Sequence, residues 1–277
     1  MNPLITCLTK KKRFFILLLS CLLHIFQEYD HIEGGDNGKD PSGVTTPHGY
    51  MPIWGNFRRD SGGECAVPVA QRFQMPQSYP NNNNRTIRTN GVFWYSYNFA
   101  NVHTTVLSSE HDMSKGSPQH LWLEMDLASV NRSVTPWLIV ELHRPLYNGE
   151  VDVRNNNVGI GMRMGIEHLL RDYNVDVVLA GHYHSYHRTC DGLFRGRCHN
   201  GGPIHLTIGT AGAKLRTKNI IYPNRWSQKS IMGEYGYGRV TVSNASMLHF
   251  EFVKAGPKDD NHTGQVLDDV WIARDRS

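Results

Sequence analysis

His182 and His184 stand two residues apart, directly after the run Val175-Asp176-Val177-Val178-Leu179-Ala180-Gly181. Imidazole is the commonest biological metal ligand. Residues two apart in extended backbone point the same way, so both rings are expected to reach one cation. His143 lies in a similar place. It follows Trp137-Leu138-Ile139-Val140-Glu141-Leu142, and Pro145 stops that run two residues later. Three imidazoles at the ends of two apolar runs point to metal-assisted chemistry.

Two elements of one kind must position them. Short apolar β-branched runs read as parallel strands buried on both faces. Between them, Ile166, Leu169, Leu170 and Tyr173 recur at helical spacing within Gly161 to Tyr173. Strand, helix and strand form a β-α-β unit whose crossover sets the strands side by side. Such sheets place their chemistry at the carboxyl ends of the strands.

At these residues the chain resembles the purple acid phosphatases, a branch of the calcineurin-like metallophosphoesterases. The matching blocks are QEYDHIEGGDNGKDPSG, SGGECAVPVAQRFQMP, FWYSYNFANVHTTVLSSEHD, QHLWLEMDLASVNRSVTPWLIVELHRPLY, VDVVLAGHYHSYHRTC and GPIHLTIGTAG, in order from about Glu28 onward. The resemblance implies an α/β fold: a partial βαβ sandwich with a small β-rich C-terminal segment. It implies Fe(III) with a divalent partner (Fe, Zn or Mn), and hydrolysis of phosphate monoesters by a metal-bound hydroxide. By the same resemblance, His143 and His182 match ligands of the divalent metal and His184 matches a ligand of the iron. A homodimer in a secreted, vacuolar or lysosomal-type compartment is also implied.

The departures from the family pattern matter as much. The family's other four ligands are two Asp, a Tyr and the Asn of a GNHE motif. No such series precedes Glu28, and Ile25-Phe26-Gln27-Glu28 stands where GNHE is expected. Three neutral imidazoles without a bridging carboxylate leave two cations poorly balanced. The rival expectation is therefore a catalytically impaired fragment or pseudoenzyme. No residue is assigned as general acid, because the family's GNHE histidine is absent, and Asn148-Gly149-Glu150 replaces the paired histidines of some members.

The 277 residues carry a net charge of +4, and without Lys10, Lys11, Lys12 and Arg13 the basic and acidic counts are equal. The body is neutral, and nothing in it suggests a nucleic-acid stripe. The basic cluster precedes Phe14 to Leu23, a signal-like arrangement too short for a comfortable membrane span. Residues 1–27 read either as a leader or as a substituted start. Residues 28–202 read as the partial phosphoesterase domain and 203–277 as the C-terminal segment. No P-loop, GxSxG or internal repeat is present, and no cysteine-rich set suggests a structural zinc module.

Asn84, Asn131, Asn244 and Asn261 are N-x-S/T acceptors. Cys190 and Cys198 enclose seven residues and read as a disulfide in an oxidising compartment or as two thiols in a reducing one. Residues 33–90 read as irregular loops. Gly91 to Leu107 suggests two strands, His120 to Leu127 a short helix, Pro203 to Thr210 a strand and Tyr235 to Phe252 a terminal hairpin. His205 and Tyr147 read as structural, Phe93-Trp94-Tyr95-Tyr97 as core, and Glu141 as a solvated strand-end charge.

Overall fold

A computed structural model describes residues 73–76, 91–109, 111–150, 153–216, 224–256 and 261–274. The expected leader, Glu28, Asn84 and nearly all of residues 33–90 lie outside them. Seven strands form the main sheet: β1 (Tyr95–Phe99), β2 (Val102–Val106), β3 (Trp137–Leu142), β4 (Val177–Ala180), β5 (Tyr186–Thr189), β8 (Ile204–Ile208) and β9 (Ser227–Ile231). Their spatial order is β1-β2-β3-β4-β8-β5-β9. The central four, β2, β3, β4 and β8, run parallel. β1, β5 and β9 are antiparallel to their neighbours.

The β3 sequence shows why this sheet is central. Trp137 and Ile139 point to one face, Leu138, Val140 and Leu142 to the other, and all are buried. The second set packs against α1 (Pro118–Ser129) and α2 (Val153–Asp172) through Trp122, Leu123, Met162, Ile166 and Leu170. Helix α1 starts cleanly: Pro118 needs no backbone donor at its first turn, and the Ser117 side chain accepts from His120 N–H. Trp137 and Ile139 pack instead against a three-stranded antiparallel sheet, β10 (Gly236–Val242), β11 (Met247–Lys254) and β12 (Val266–Ala273). The architecture is therefore helices, main sheet and small sheet, a three-layer α/β sandwich with a strand-rich C-terminal part.

The small sheet is tied down by an aromatic stack and an ion pair. The Tyr186 ring lies 4.2 Å from that of Phe252, nearly parallel, and its hydroxyl donates to Asp268 at 2.6 Å. Arg188 donates twice to the same carboxylate, at 2.6 and 3.1 Å. The hairpin expected over Tyr235 to Phe252 is β10 and β11. β12 joins as a third strand, which Asp268-Asp269 hides in the sequence because one of these acids faces inward to Tyr186 and Arg188.

A two-stranded hairpin, β6 (Gly192–Phe194) and β7 (Arg197–Gly202), hangs from the end of β5. Cys190 and Cys198 are joined there as a disulfide, with Cα atoms 5.7 Å apart. Replacing both by serine is expected to cost about 2–3 kcal/mol, because a short closed loop no longer restrains the unfolded chain. Urea unfolding of the double variant checks this; a midpoint equal to that of the parent would contradict it.

Glu141 is not solvated. It is 1% exposed and faces Tyr95 and Tyr97. Burial first, and the Glu141 charge second, hold both phenols above their usual range.

Candidate functional site

The site forms where β3 and β4 end. Gly181 N–H donates to the His143 carbonyl at 2.9 Å, which sews the two strand ends together. His143 is 2% exposed. Its Nε2 lies 3.0 Å from Nδ1 of His182, with the rings at 85°. His182 has φ of 64°, in the left-handed region that histidine enters more readily than most residues. That backbone turn swings its ring onto His143.

The same turn corrects the sequence expectation for His184. The strand stops at Ala180, and residues 181–184 are not extended. The i, i+2 rule therefore does not apply. His184 Nδ1 instead donates to the Lys214 carbonyl at 2.8 Å, and its own carbonyl accepts from Arg216 N–H at 3.1 Å. The structure brings His143 and His182 together and directs His184 to the 210–216 loop.

Arg144 Nη1 lies 3.3 Å from His182 Nε2, so the guanidinium borders the histidine pair.

A buried latch connects the three loops. Glu150 is 4% exposed; it accepts from the Ser185 hydroxyl in a short contact and from Arg216 Nη1 at 3.2 Å. Arg216 also lies over the Tyr183 ring at 5.4 Å. Spacing could not reveal Glu150, Ser185 and Arg216 as partners. Arg144 had a signal, since it directly follows a candidate ligand.

Behind the site, His205 is buried and edge-on to Tyr147, with ring centroids 5.0 Å apart. Burial lowers its pKa to about 3. Burial also lowers His187 to about 4, with Arg188 adding to the effect. His187 meets Ser227 Oγ at 2.9 Å. The Tyr147 hydroxyl donates to Glu167 in a short contact. His187 and His205 are held neutral by burial and pack as structural groups.

Two imidazole nitrogens 3.0 Å apart both lie within reach of one cation at the usual zinc–imidazole bond of about 2.0–2.1 Å. His184 does not complete a tight triad with them. Among the described residues, the one group of His, Cys, Asp or Glu whose ligand atoms all lie within 4.8 Å is His249, Glu251 and Asp269. It sits on the small sheet, where Arg239 already forks onto Glu251 at 2.7 and 2.7 Å. The strand-end pair fits one cation and does not by itself fit two.

The family profile for calcineurin-like phosphoesterases matches residues 40–186, more than half of the chain, and that for iron/zinc purple acid phosphatase-like protein C matches residues 202–269. The chain belongs to the purple acid phosphatases. This family implies a dinuclear metal centre and a phosphoesterase fold. A probable inactive purple acid phosphatase 9 of Arabidopsis thaliana is 35% identical over 241 residues, covering 80% of this chain and 35% of that protein. Purple acid phosphatase 22 of the same plant is 34% identical over 183 residues, covering 65% and 40%. The solved structure of a purple acid phosphatase from yellow lupin (Lupinus luteus) seeds superposes with a TM-score of 0.65 at 31% identity, covering 87% of this chain and 40% of that one. The chain thus spans 35–40% of the length of these relatives.

Of the remaining sequence expectations, Asn131, Asn244 and Asn261 are exposed. No helix among the described residues is long and apolar enough to cross a membrane.

Proposed function

We propose that this purple acid phosphatase chain carries a half-centre for one divalent cation, held by His143 and His182, and that phosphate monoester hydrolysis by the chain as written is weak or absent. The observation that carries this reading is the 3.0 Å approach of His143 Nε2 to His182 Nδ1 at the carboxyl ends of adjacent parallel strands. When bound, the cation supplies a polarised water as nucleophile and draws charge from the phosphate oxygens. His143 and His182 would hold it, and His184 matches the family's iron ligand by the resemblance. Phe26 and Gln27 stand where the resemblance expects the Asn and His of the GNHE motif.

The names of relatives divide in the same way: some are called purple acid phosphatases and others probable inactive ones. The divalent cation is Fe, Zn or Mn, the partners of Fe(III) that the family resemblance implies; a homodimer and a secreted or vacuolar compartment with glycans on the Asn acceptors also belong to this proposal. The Cys190–Cys198 disulfide supports an oxidising compartment.

The test is hydrolysis of an aryl phosphate at mildly acidic pH by the purified chain, supplied with iron and zinc. We expect a colourless protein with turnover near background that His182→Ala barely changes. Robust turnover abolished by His182→Ala would show that other residues rebuild the missing ligand set.

A further inference from the structure

We infer that the cleft between α2 and the β6–β7 turn binds a small organic oxyanion, its charged head on Arg163 and Arg195 and its apolar body on Trp226 and Ile160. These four side chains line the cleft with Tyr147, and its volume is about 380 Å³. Small-molecule sites begin near about 300 Å³, so this one suits a single ring with one charged substituent. Neither strand-end histidine takes part, and no metal is needed.

Among the described residues, neither guanidinium makes an ion pair. Arg163 donates to the Leu146 carbonyl in a short contact, and its Cζ lies 4.5 Å from the centre of the Tyr147 ring. Glu167 stands one helical turn further on, but it accepts from the Tyr147 hydroxyl and from the Arg195 backbone N–H at 2.8 Å. Burial lowers the Arg163 pKa, and Tyr147 and Glu167 offset that only in part. An anion in the cleft would complete the compensation. Arg195 is exposed, with its Cζ 5.1 Å from the Phe194 ring centre. Its backbone N–H on Glu167 and the Gly196 N–H on the Tyr147 hydroxyl at 3.0 Å dock the turn, so the side chain is not needed for docking. Arg195 and Gly196 have φ of 50° and 70°, a two-residue turn that favours asparagine before glycine. The turn therefore does not call for arginine; the arginine sets a permanent fork at the mouth of the cleft.

Trp226 forms the opposite wall. Its ring centre is 5.3 Å from that of Tyr147, and its carbonyl accepts from Cys190 N–H at 2.7 Å. The Cys190–Cys198 disulfide thus holds the turn and this wall to one anchor. Ile160, 44% exposed, leaves an apolar side chain at the rim. Guanidinium forks match carboxylate and phosphate oxygens through parallel N–H donors, which makes an oxyanion the complementary ligand.

The test is calorimetric titration of the full chain, treated with chelator, at neutral pH. The probes are phenylphosphonate, whose carbon–phosphorus bond ester hydrolysis leaves intact, benzoate, and inorganic phosphate. We expect saturable binding of phenylphosphonate or benzoate, the tighter of the two naming the head group, and binding of inorganic phosphate weaker by about tenfold, because it buries no apolar body. Arg163→Gln and Arg195→Gln should each weaken the tighter probe by about tenfold or more, since each removes a charge-assisted donor. Arg195 lies on an exposed turn docked by its backbone, so that variant keeps the fold. His182→Ala should leave binding unchanged. No saturable binding of either organic probe below about 10 mM overturns the inference. Binding indifferent to both arginine variants overturns it too, and binding lost in His182→Ala moves the anion to the strand-end pair. A second measurement uses the parent protein: nitrogen-15 NMR follows the Trp226 indole N–H, identified by its loss in Trp226→Phe. A shift that saturates with the probe supports the cleft, and an unmoved signal overturns it.

Discussion

Gly209→Ala is expected to destabilise the protein by about 3 kcal/mol or more and to displace the strand-end histidines. A Cβ at this position would lie 1.9 Å from the Tyr183 carbonyl oxygen and 2.6 Å from its carbon. Both are backbone atoms, so no side chain can swing aside. Gly209 N–H also donates to the Ser185 carbonyl at 3.3 Å, so the glycine and the 181–185 turn are held in contact from both sides. The clash therefore falls on the segment that gives His182 its left-handed backbone. Urea unfolding measures the stability, and zinc titration measures the site. A loss below about 1 kcal/mol with zinc binding intact would mean that the turn relaxes freely, contrary to this account.

Stability should also fall steeply in acid. His187 and His205 have folded pKa values of about 4 and about 3, against about 6.5 unfolded. Their depressed values mean that the unfolded chain binds protons first. Their contribution is fully present above pH 6.5 and is lost as the pH falls from there through 4 and then 3. Each pKa unit corresponds to about 1.4 kcal/mol, so the two rings together remove on the order of 5 kcal/mol between pH 7 and pH 4. Burial is the main cause in both; Arg163 and His187 add to it at His205, and Arg188 at His187. His205→Leu removes one of the two titrations and should flatten the acid limb of the stability curve by about half. A limb as steep as that of the parent would assign acid sensitivity to other groups.

The central strands were legible because strands buried on both faces must be apolar throughout, and residues 137–142 and 177–180 are. The helix between them was legible only in its second half. Residues 153–161 carry asparagines and glycines that lower helix propensity, and the helix extends through them to Val153. The His143–His182 pair was legible because strand ends fix where His143 and Gly181 fall. The parting of His184 was not, since a single left-handed residue after Gly181 redirects everything beyond it. Glu141 looked solvated because its charge falls at a strand end, yet it is buried within the sheet. Glu150 with Arg216, 66 residues apart, needed the fold itself.

Metal content tests the central claim most directly. The purified chain is incubated with excess zinc, dialysed and analysed for metal by atomic emission, beside His143→Ala, His182→Ala and His249→Ala. One zinc or less per chain, lost in the first two variants and kept in the third, is the predicted result. Two tightly held metals per chain, or zinc content unchanged by His143→Ala and His182→Ala, would contradict it.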